Sequence, residues 1–180
     1  EANLELVRRV LATVEKPIVV DADALRVMGE RWNSPSPTVV ATPHPGEMAR
    51  MTGLSIAEIQ RDRLGVARAY AEEHGAILVP KGARTVIACP DGRVLINQTG
   101  TPGMATGGSG DILTGLIAGL LAQCPNEDPE IVIAAAVWLR SISRLAGTTA
   151  MVLPDKVLYL AGYAGLRESS VRDHDWLVVA

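Results

Sequence analysis

Three short runs of the chain are aliphatic or β-branched at every position: Ile18-Val19-Val20, Thr38-Val39-Val40-Ala41 and Ile77-Leu78-Val79. A strand with one wet face alternates apolar and polar residues. Runs without that alternation read as strands covered on both faces, as in a parallel sheet between helices. Segments with helical spacing separate them. Leu4, Val7, Val10, Leu11 and Val14 fall on one stripe, with Glu5, Arg8 and Arg9 opposite, and Pro17 stops the pattern. A short helix is predicted over residues 24–31, before the breakers Asn33-Ser34-Pro35-Ser36-Pro37. A long helix is predicted over 55–74. Ser55 and Glu58 form a capping-box pair, Ile56, Ile59, Val66, Ala67 and Tyr70 share one face, and Gly75 ends it. Residues 85–88 and 93–96 flank Pro90-Asp91-Gly92, a β-hairpin pattern.

Beyond the hairpin, a glycine-rich stretch runs from 100 to 110. Ile112, Leu113, Leu116, Ile117, Leu120 and Leu121 then repeat at helical spacing, with Gly115 and Gly119 expected to let a neighbour approach closely. Helices are also expected over 129–145 and 155–167, ahead of a polar tail that holds His174. Trp138 and the run 131–139 read as core. Helix and buried strand alternate, so the expected class is α/β: a mainly parallel sheet with helices on both faces. Ligands in such sheets bind beyond the carboxyl ends of the strands. Asp21, Asp23, His44, Lys81 and the glycine-rich stretch all fall there.

Composition narrows the function classes. A length of 180 residues suits one domain, and 48% hydrophobic with 21% charged residues suits a folded one. Phe is absent, so aliphatic side chains must fill the core. A net charge of −3 argues against a general nucleic-acid binder, yet leaves room for a local anion site. Cys89 and Cys124 have no CxxC spacing, which implies no disulfide framework or zinc site and fits a reducing cytoplasm. The apolar stretches 112–124 and 131–139 fall short of the ~20 residues needed to span a bilayer.

The strongest chemical feature is Gly103-Met104-Ala105-Thr106-Gly107-Gly108-Ser109-Gly110-Asp111, leading into an apolar helix. Glycines let successive N–H groups turn toward one point. The helix N-terminus adds unpaired N–H groups and a partial positive charge. Together they suit a phosphoryl group in flight. Asp111, in the first turn, is placed to remain a carboxylate and to take a proton from a hydroxyl that attacks phosphorus. The plainer reading is a loop with an N-capping Asp. The pattern is not a P-loop, since no Gly-Lys-Ser/Thr follows, and it lacks GxGxxG.

Other polar residues carry paired readings. His44, between two prolines, is either a structural histidine or a ligand contact. Glu47 either caps the next helix or serves a substrate or metal. Lys81 is either a solvated turn lysine or a phosphate contact. One of Asp21 and Asp23 is a candidate cap for the short helix, and no metal site is assigned to that pair. Asn97 either orders the glycine-rich loop or touches substrate, and Met104 packs beneath the loop.

Residues 103–111 with the helix through Gln123 resemble the signature of the ADP-dependent NAD(P)H-hydrate dehydratases, in the ribokinase-like superfamily. Val20-Asp21-Ala22-Asp23-Ala24-Leu25, Thr42-Pro43-His44-Pro45-Gly46-Glu47, and Lys81-Gly82 with Thr85 agree in order. The likeness covers about 17–123. It implies a ribokinase-like three-layer fold. It also implies repair of hydrated NADH or NADPH, by phosphorylating the ring hydroxyl from ADP and then eliminating phosphate. By resemblance, Asp111 is the catalytic base and a substrate contact, and Gly108, Ser109 and Gly110 form the anion hole, with Gly110 also beside the nucleotide. Lys81, Gly82, Ala83, Arg84 and Thr85 hold AMP, and His44 contacts the hydrated dinucleotide. Mg²⁺ accompanies the nucleotide, and a cytoplasmic homotetramer is the family expectation.

There are departures. Thr101 replaces the family's usual Asn, and Trp138-Leu139-Arg140 stands where Tyr-Leu-His is common. The chain opens at Glu1, and the expectation is one domain lacking its opening strands and helix, together with any upstream epimerase domain. Two other readings remain: a small-molecule kinase of the same fold, for a substrate like hydroxyethylthiazole, and a nucleotide-binding fragment without turnover.

Overall fold

The three buried runs lie side by side. In the structure, a computed structural model describing residues 2–30 and 32–142, β1 (Ile18–Val20) pairs in parallel with β2 (Val39–Ala41), and β2 in parallel with β3 (Ile77–Leu78). The hairpin follows: β4 (Val86–Ala88) and β5 (Val94–Ile96) continue the sheet antiparallel, in the order β1-β2-β3-β4-β5. The sheet is therefore mixed. The carboxyl ends of β1, β2, β3 and β5 nonetheless share one edge, because β5 reverses the direction that β4 reversed.

Helices cover both faces, and strand alternation sorts the core between them. Val20, Val39, Ala41, Leu78, Val86 and Ala88 point to one face. There they meet α1 (Ala2–Thr13), a 3-10 helix (Ala22–Gly29), α2 (Pro45–Thr52), α3 (Ile56–Arg61) and α4 (Arg63–His74), through Leu11, Leu25, Met48, Ile59 and Tyr70. Val40, Ile77, Val79 and Ile87 point to the other face. They pack on α5 (Ser109–Gln123) and α6 (Pro129–Ile142), through Leu113, Ile117, Leu121, Val132 and Ile133. Aliphatic packing on both sides explains how the chain manages without Phe.

Several elements differ from expectation. The helix predicted over 55–74 is two helices. Asp62 has φ −138° and ψ 63°, outside helical values, and its Oδ1 accepts the Gly65 N–H at 2.9 Å to cap α4. Ile56, expected on the apolar face, is exposed, while Ile59 of the same helix is buried. Helix α2 is not among the expected elements, and Pro and Gly disfavour a helix interior. Pro is nevertheless well placed in a first turn, where its missing N–H is no loss. The short helix is 3-10 and starts earlier, at Ala22. Helix α5 begins at Ser109, so the last glycines of the loop are already its first turn. Gly115 faces solvent: among the described residues nothing would touch a Cβ there within 4 Å, so the close approach expected of it is not made. The helix over 155–167, the polar tail with His174 and the end of the helix from 129 lie outside the described residues. Cys89 and Cys124 are buried and form no disulfide. No helix among the described residues is long and apolar enough to cross a membrane.

The Asp62 break gives a direct test. Asp62→Ala removes the cap of α4 and is expected to cost about 1 kcal/mol. It should appear as a lower urea midpoint with an unchanged slope.

Candidate functional site

Parallel pairing brings the ends of β1, β2 and β3 together, and each ends in charge. Lys81 follows β3. Its Nζ donates to Oδ1 of Asp21, after β1, at 2.6 Å, and lies 3.6 Å from Oε2 of Glu47, after β2. The side chains are only 16% (Lys81), 10% (Asp21) and 11% (Glu47) exposed, so Lys81 is no solvated turn lysine. The second oxygen of Asp21 accepts the Thr114 hydroxyl of α5 at 2.6 Å, and its first also accepts the Ala22 N–H at 2.9 Å. Burial pushes the Asp21 carboxyl up, but the hydrogen bonds from Lys81, Thr114 and Ala22 outweigh it and hold the group below its ordinary value.

His44 and Glu47 form a capping box on α2. His44 Nδ1 accepts the N–H groups of Gly46 at 3.0 Å and Glu47 at 3.3 Å, while Glu47 Oε2 accepts the His44 N–H at 2.7 Å. With Nδ1 an acceptor, the ring proton sits on Nε2, which lies 3.3 Å from Glu47 Oε1. The capping half of each paired reading holds. His44 is a structural cap whose side chain is half exposed, and Glu47 is a cap that also faces Lys81.

The glycine-rich loop closes the site from the other layer. Gly108 caps α5 in the left-handed region, φ 77°, which a side chain would strain. Ser109 is buried and its N–H donates to the Thr106 carbonyl at 3.2 Å. Gly110 and Asp111 belong to the first turn, where N–H groups have no partner within the helix. A Cβ on Gly110 would lie 3.4 Å from Lys81 Nζ and 3.8 Å from Asp21 Oδ2. The α5 N-terminus and the strand-end charges thus form one site, with Asp111 exposed beside it.

Two further groups frame this site. Residues 81–85 make a turn, with Gly82 at φ 152° and Arg84 at φ 53°. Arg63 of α4 braces it by donating to the carbonyls of Ala83 at 2.8 Å and Pro80 at 3.5 Å, and Thr85 Oγ1 donates to Gly82 O at 3.1 Å. Asn97 anchors the loop's start: its Nδ2 donates to Ser141 Oγ of α6 at 3.0 Å, and its Oδ1 accepts from the Thr99 hydroxyl at 2.7 Å. Met104 is buried beneath the loop. Arg140 of α6 donates to the Ser109 carbonyl at 3.3 Å. Sequence reasoning singled out neither Arg63 nor Thr114. Thr114 did leave a signal, being polar inside an apolar helix run; Arg63 left none, since its partners lie near 80 and 83.

A family model described as NAD(P)H-hydrate dehydratase matches residues 1–161. The chain belongs to the NAD(P)H-hydrate dehydratase family. It is 47% identical over 167 residues to a bifunctional NAD(P)H-hydrate repair enzyme Nnr of Moorella thermoacetica, covering 88% of this chain and 31% of that protein. It is 43% identical over 129 residues to an ADP-dependent (S)-NAD(P)H-hydrate dehydratase of Bacillus subtilis, covering 71% of this chain and 45% of the relative. The fold is ribokinase-like. It superposes with a TM-score of 0.71 and 35% identity on a crystal structure of the ADP/ATP-dependent NAD(P)H-hydrate dehydratase of Bacillus subtilis, co-crystallised with ATP/Mg²⁺ and soaked with CoA. That match covers 89% of this chain and 59% of the other. The chain therefore spans less than half the length of the two curated relatives.

The Asp21 carboxyl titrates lower in the fold than in the unfolded chain. It therefore contributes stability above its unfolded value, near 3.8, and loses it as pH falls through the folded value. Asp21→Asn has no such contribution to lose. Its melting temperature is expected to fall less steeply than that of the unmodified protein below about pH 4, in a series from pH 6 to pH 2.

Proposed function

We propose that this site performs the phosphoryl-transfer half of NAD(P)H-hydrate repair, dehydrating (6S)-hydrated NADH or NADPH at the expense of ADP. The observation that carries the reading is the meeting of Lys81 with the first turn of α5. A strand-end ammonium and a helix N-terminus converge where a phosphoryl group would sit, and an exposed carboxylate, Asp111, stands in the same turn. Family membership supports the same reading.

The roles are those the family resemblance implies, and the positions support them. Residues Lys81, Gly82, Ala83, Arg84 and Thr85 hold AMP, the spent nucleotide, on the turn braced by Arg63. Gly108, Ser109 and Gly110 shape the anion hole. Because the Ser109 N–H is used within the loop, the N–H groups of Gly110 and Asp111 are the ones turned to the phosphoryl oxygens. Asp111 takes the proton of the ring hydroxyl as its oxygen attacks the β-phosphorus of ADP. The bond to the AMP oxygen breaks and AMP leaves. Phosphorylation makes a good leaving group; the ring nitrogen's lone pair expels phosphate, and loss of the neighbouring carbon's proton restores the double bond. His44, with its Nε2–H at the open edge, donates to the dinucleotide. Asn97 acts through the loop, by holding its start against α6.

Mg²⁺ fits this residue set as an ion carried mainly by nucleotide phosphates. Among the described residues no three His, Cys, Asp or Glu side chains come together, and Mg²⁺ typically needs only one or two carboxylates beside phosphate oxygens and water. Bound there, it would neutralise phosphate charge, with Glu47 the carboxylate that would hold it alongside its contacts with His44 and Lys81. A cytoplasmic homotetramer, working with a fused or separate epimerase, completes the proposal.

Incubating the protein with hydrated NADH and ADP, and following the absorbance of NADH, tests it. Recovery of NADH with AMP and phosphate is expected. A stable phosphorylated alcohol would instead mark a kinase of the same fold, and nucleotide binding without turnover a binding fragment. Asp111→Asn is expected to lower kcat by about 100-fold or more while leaving the melting temperature unchanged, since Asp111 is exposed.

A further inference from the structure

Asp21 is the most thoroughly engaged side chain of the site, yet it has no task in the chemistry above. We infer that Asp21 is the site's positioning residue, fixing the Lys81 ammonium against the first turn of α5 so that it meets a phosphate there. This rests on the reading of Lys81 and the glycine-rich loop as the nucleotide phosphate site.

Four observations converge on it. First, the carboxylate is held by donors from three places: Lys81 after β3, Thr114 on α5, and the Ala22 N–H in its own turn. Both oxygens are occupied, so Asp21 is not free to act as a base. Second, Lys81 needs such an anchor. A lysine carries its charge on a flexible four-carbon stem, and that charge is compact and strongly hydrated. Here it is largely out of water, and its other counter-ion, Glu47, stands 3.6 Å away with Oε2 already accepting the His44 N–H. Asp21, at 2.6 Å, is the partner that selects one rotamer.

Third, the anchor is registered to the loop. The Thr114 bond ties Asp21 to the helix whose first turn is the anion site, so Lys81 is placed relative to Gly110 and not merely relative to its own strand. An ammonium has three N–H groups. Among the described residues that of Lys81 donates one hydrogen bond, to Asp21, with Glu47 an ion-pair partner at 3.6 Å, so N–H groups remain for a phosphate oxygen. Fourth, the backbone is bent to suit. Ala22 adopts φ 54°, a left-handed value unusual for a residue with a side chain, and the Asp21 carboxylate caps its N–H in that conformation.

Double-mutant binding measurements test the inference. ADP affinity is read by calorimetry for the unmodified chain, Asp21→Asn, Lys81→Met and the double variant. Asp21→Asn keeps the side chain's size and removes its charge. It is expected to weaken ADP binding by about tenfold, Lys81→Met at least as much, and the double variant no more than Lys81→Met alone, because Asp21 acts through Lys81. A purely structural Asp21 would give additive losses. Additivity, or unchanged affinity in Asp21→Asn, overturns the inference.

A second readout needs no nucleotide. Acetylation of Lys81 relative to Lys16, followed by mass spectrometry, is expected to be slow in the unmodified chain and several-fold faster in Asp21→Asn. Equal rates in the two proteins overturn the inference. If Asp21→Asn fails to fold, Thr114→Val, which removes one anchor of the carboxylate, is expected to raise Lys81 labelling in the same direction, and an unchanged rate overturns it. An unmodified chain that binds no ADP while Lys81 stays protected overturns the nucleotide reading and the phosphate contact together; the Asp21 anchor alone would stand.

Discussion

An ammonium drawn out of water must keep a counter-charge within reach, and the architecture around Lys81 answers that requirement. Three strands running the same way deliver their last residues to one edge. Had β2 run antiparallel, its end, with His44 and Glu47, would lie at the opposite edge, more than a strand length away. The parallel order puts two carboxylates and one ammonium together, leaving a local excess of negative charge. The first turn of α5 adds partial positive charge beside them. On the proposed reading, an incoming phosphate meets the ammonium and the helix terminus together.

The two layers contribute differently. The layer of α1 to α4 supplies side chains: Asp21 through its turn, His44 and Glu47 through the capping of α2, and Arg63 through its reach to the 81–85 turn. The layer of α5 and α6 supplies backbone, namely the glycine-rich turn, which Met104, Asn97, Ser141 and Arg140 hold from below. The Asp21 and Glu47 carboxylates come from one face of the sheet, and the N–H geometry with the Asp111 carboxylate from the other. Such a division suits phosphoryl transfer, in which positioning and charge neutralisation dominate over covalent participation.

Much of this was legible in the sequence, and what was missed has physical reasons. Unalternated strands and the periodic 112–121 segment announce themselves because burial imposes a pattern on every residue. The 81–85 turn and the 103–111 loop do so because glycine is favoured where φ turns positive, as at Gly82 and Gly108. Helix α2 was hidden because Pro45-Gly46, strong breakers in isolation, are tolerated in a first turn capped by His44. The break at Asp62 was hidden because its residues keep helical spacing on both sides; only the side-chain cap distinguishes a joint from a continuous helix. Arg63 and Arg140 act through long side chains on backbone carbonyls, and no local spacing encodes such a contact. The departure of Arg140 from the family's usual His could be seen in sequence, but its contact with the Ser109 carbonyl could not.

The bonds to Asp21 are long-range in sequence: Lys81 lies 60 residues away and Thr114 lies 93. Contacts closed over such spans form late, since the loops between them must first be brought together. Before β3 has docked beside β2 and α5 has docked across the sheet, the Asp21 carboxylate has only its own turn to bond. The site is therefore a sensor of completed assembly. A partly folded chain can hold either half of the site, but only the finished molecule holds both; on the proposed reading, a nucleotide spanning the two halves would favour the last docking step over its reversal.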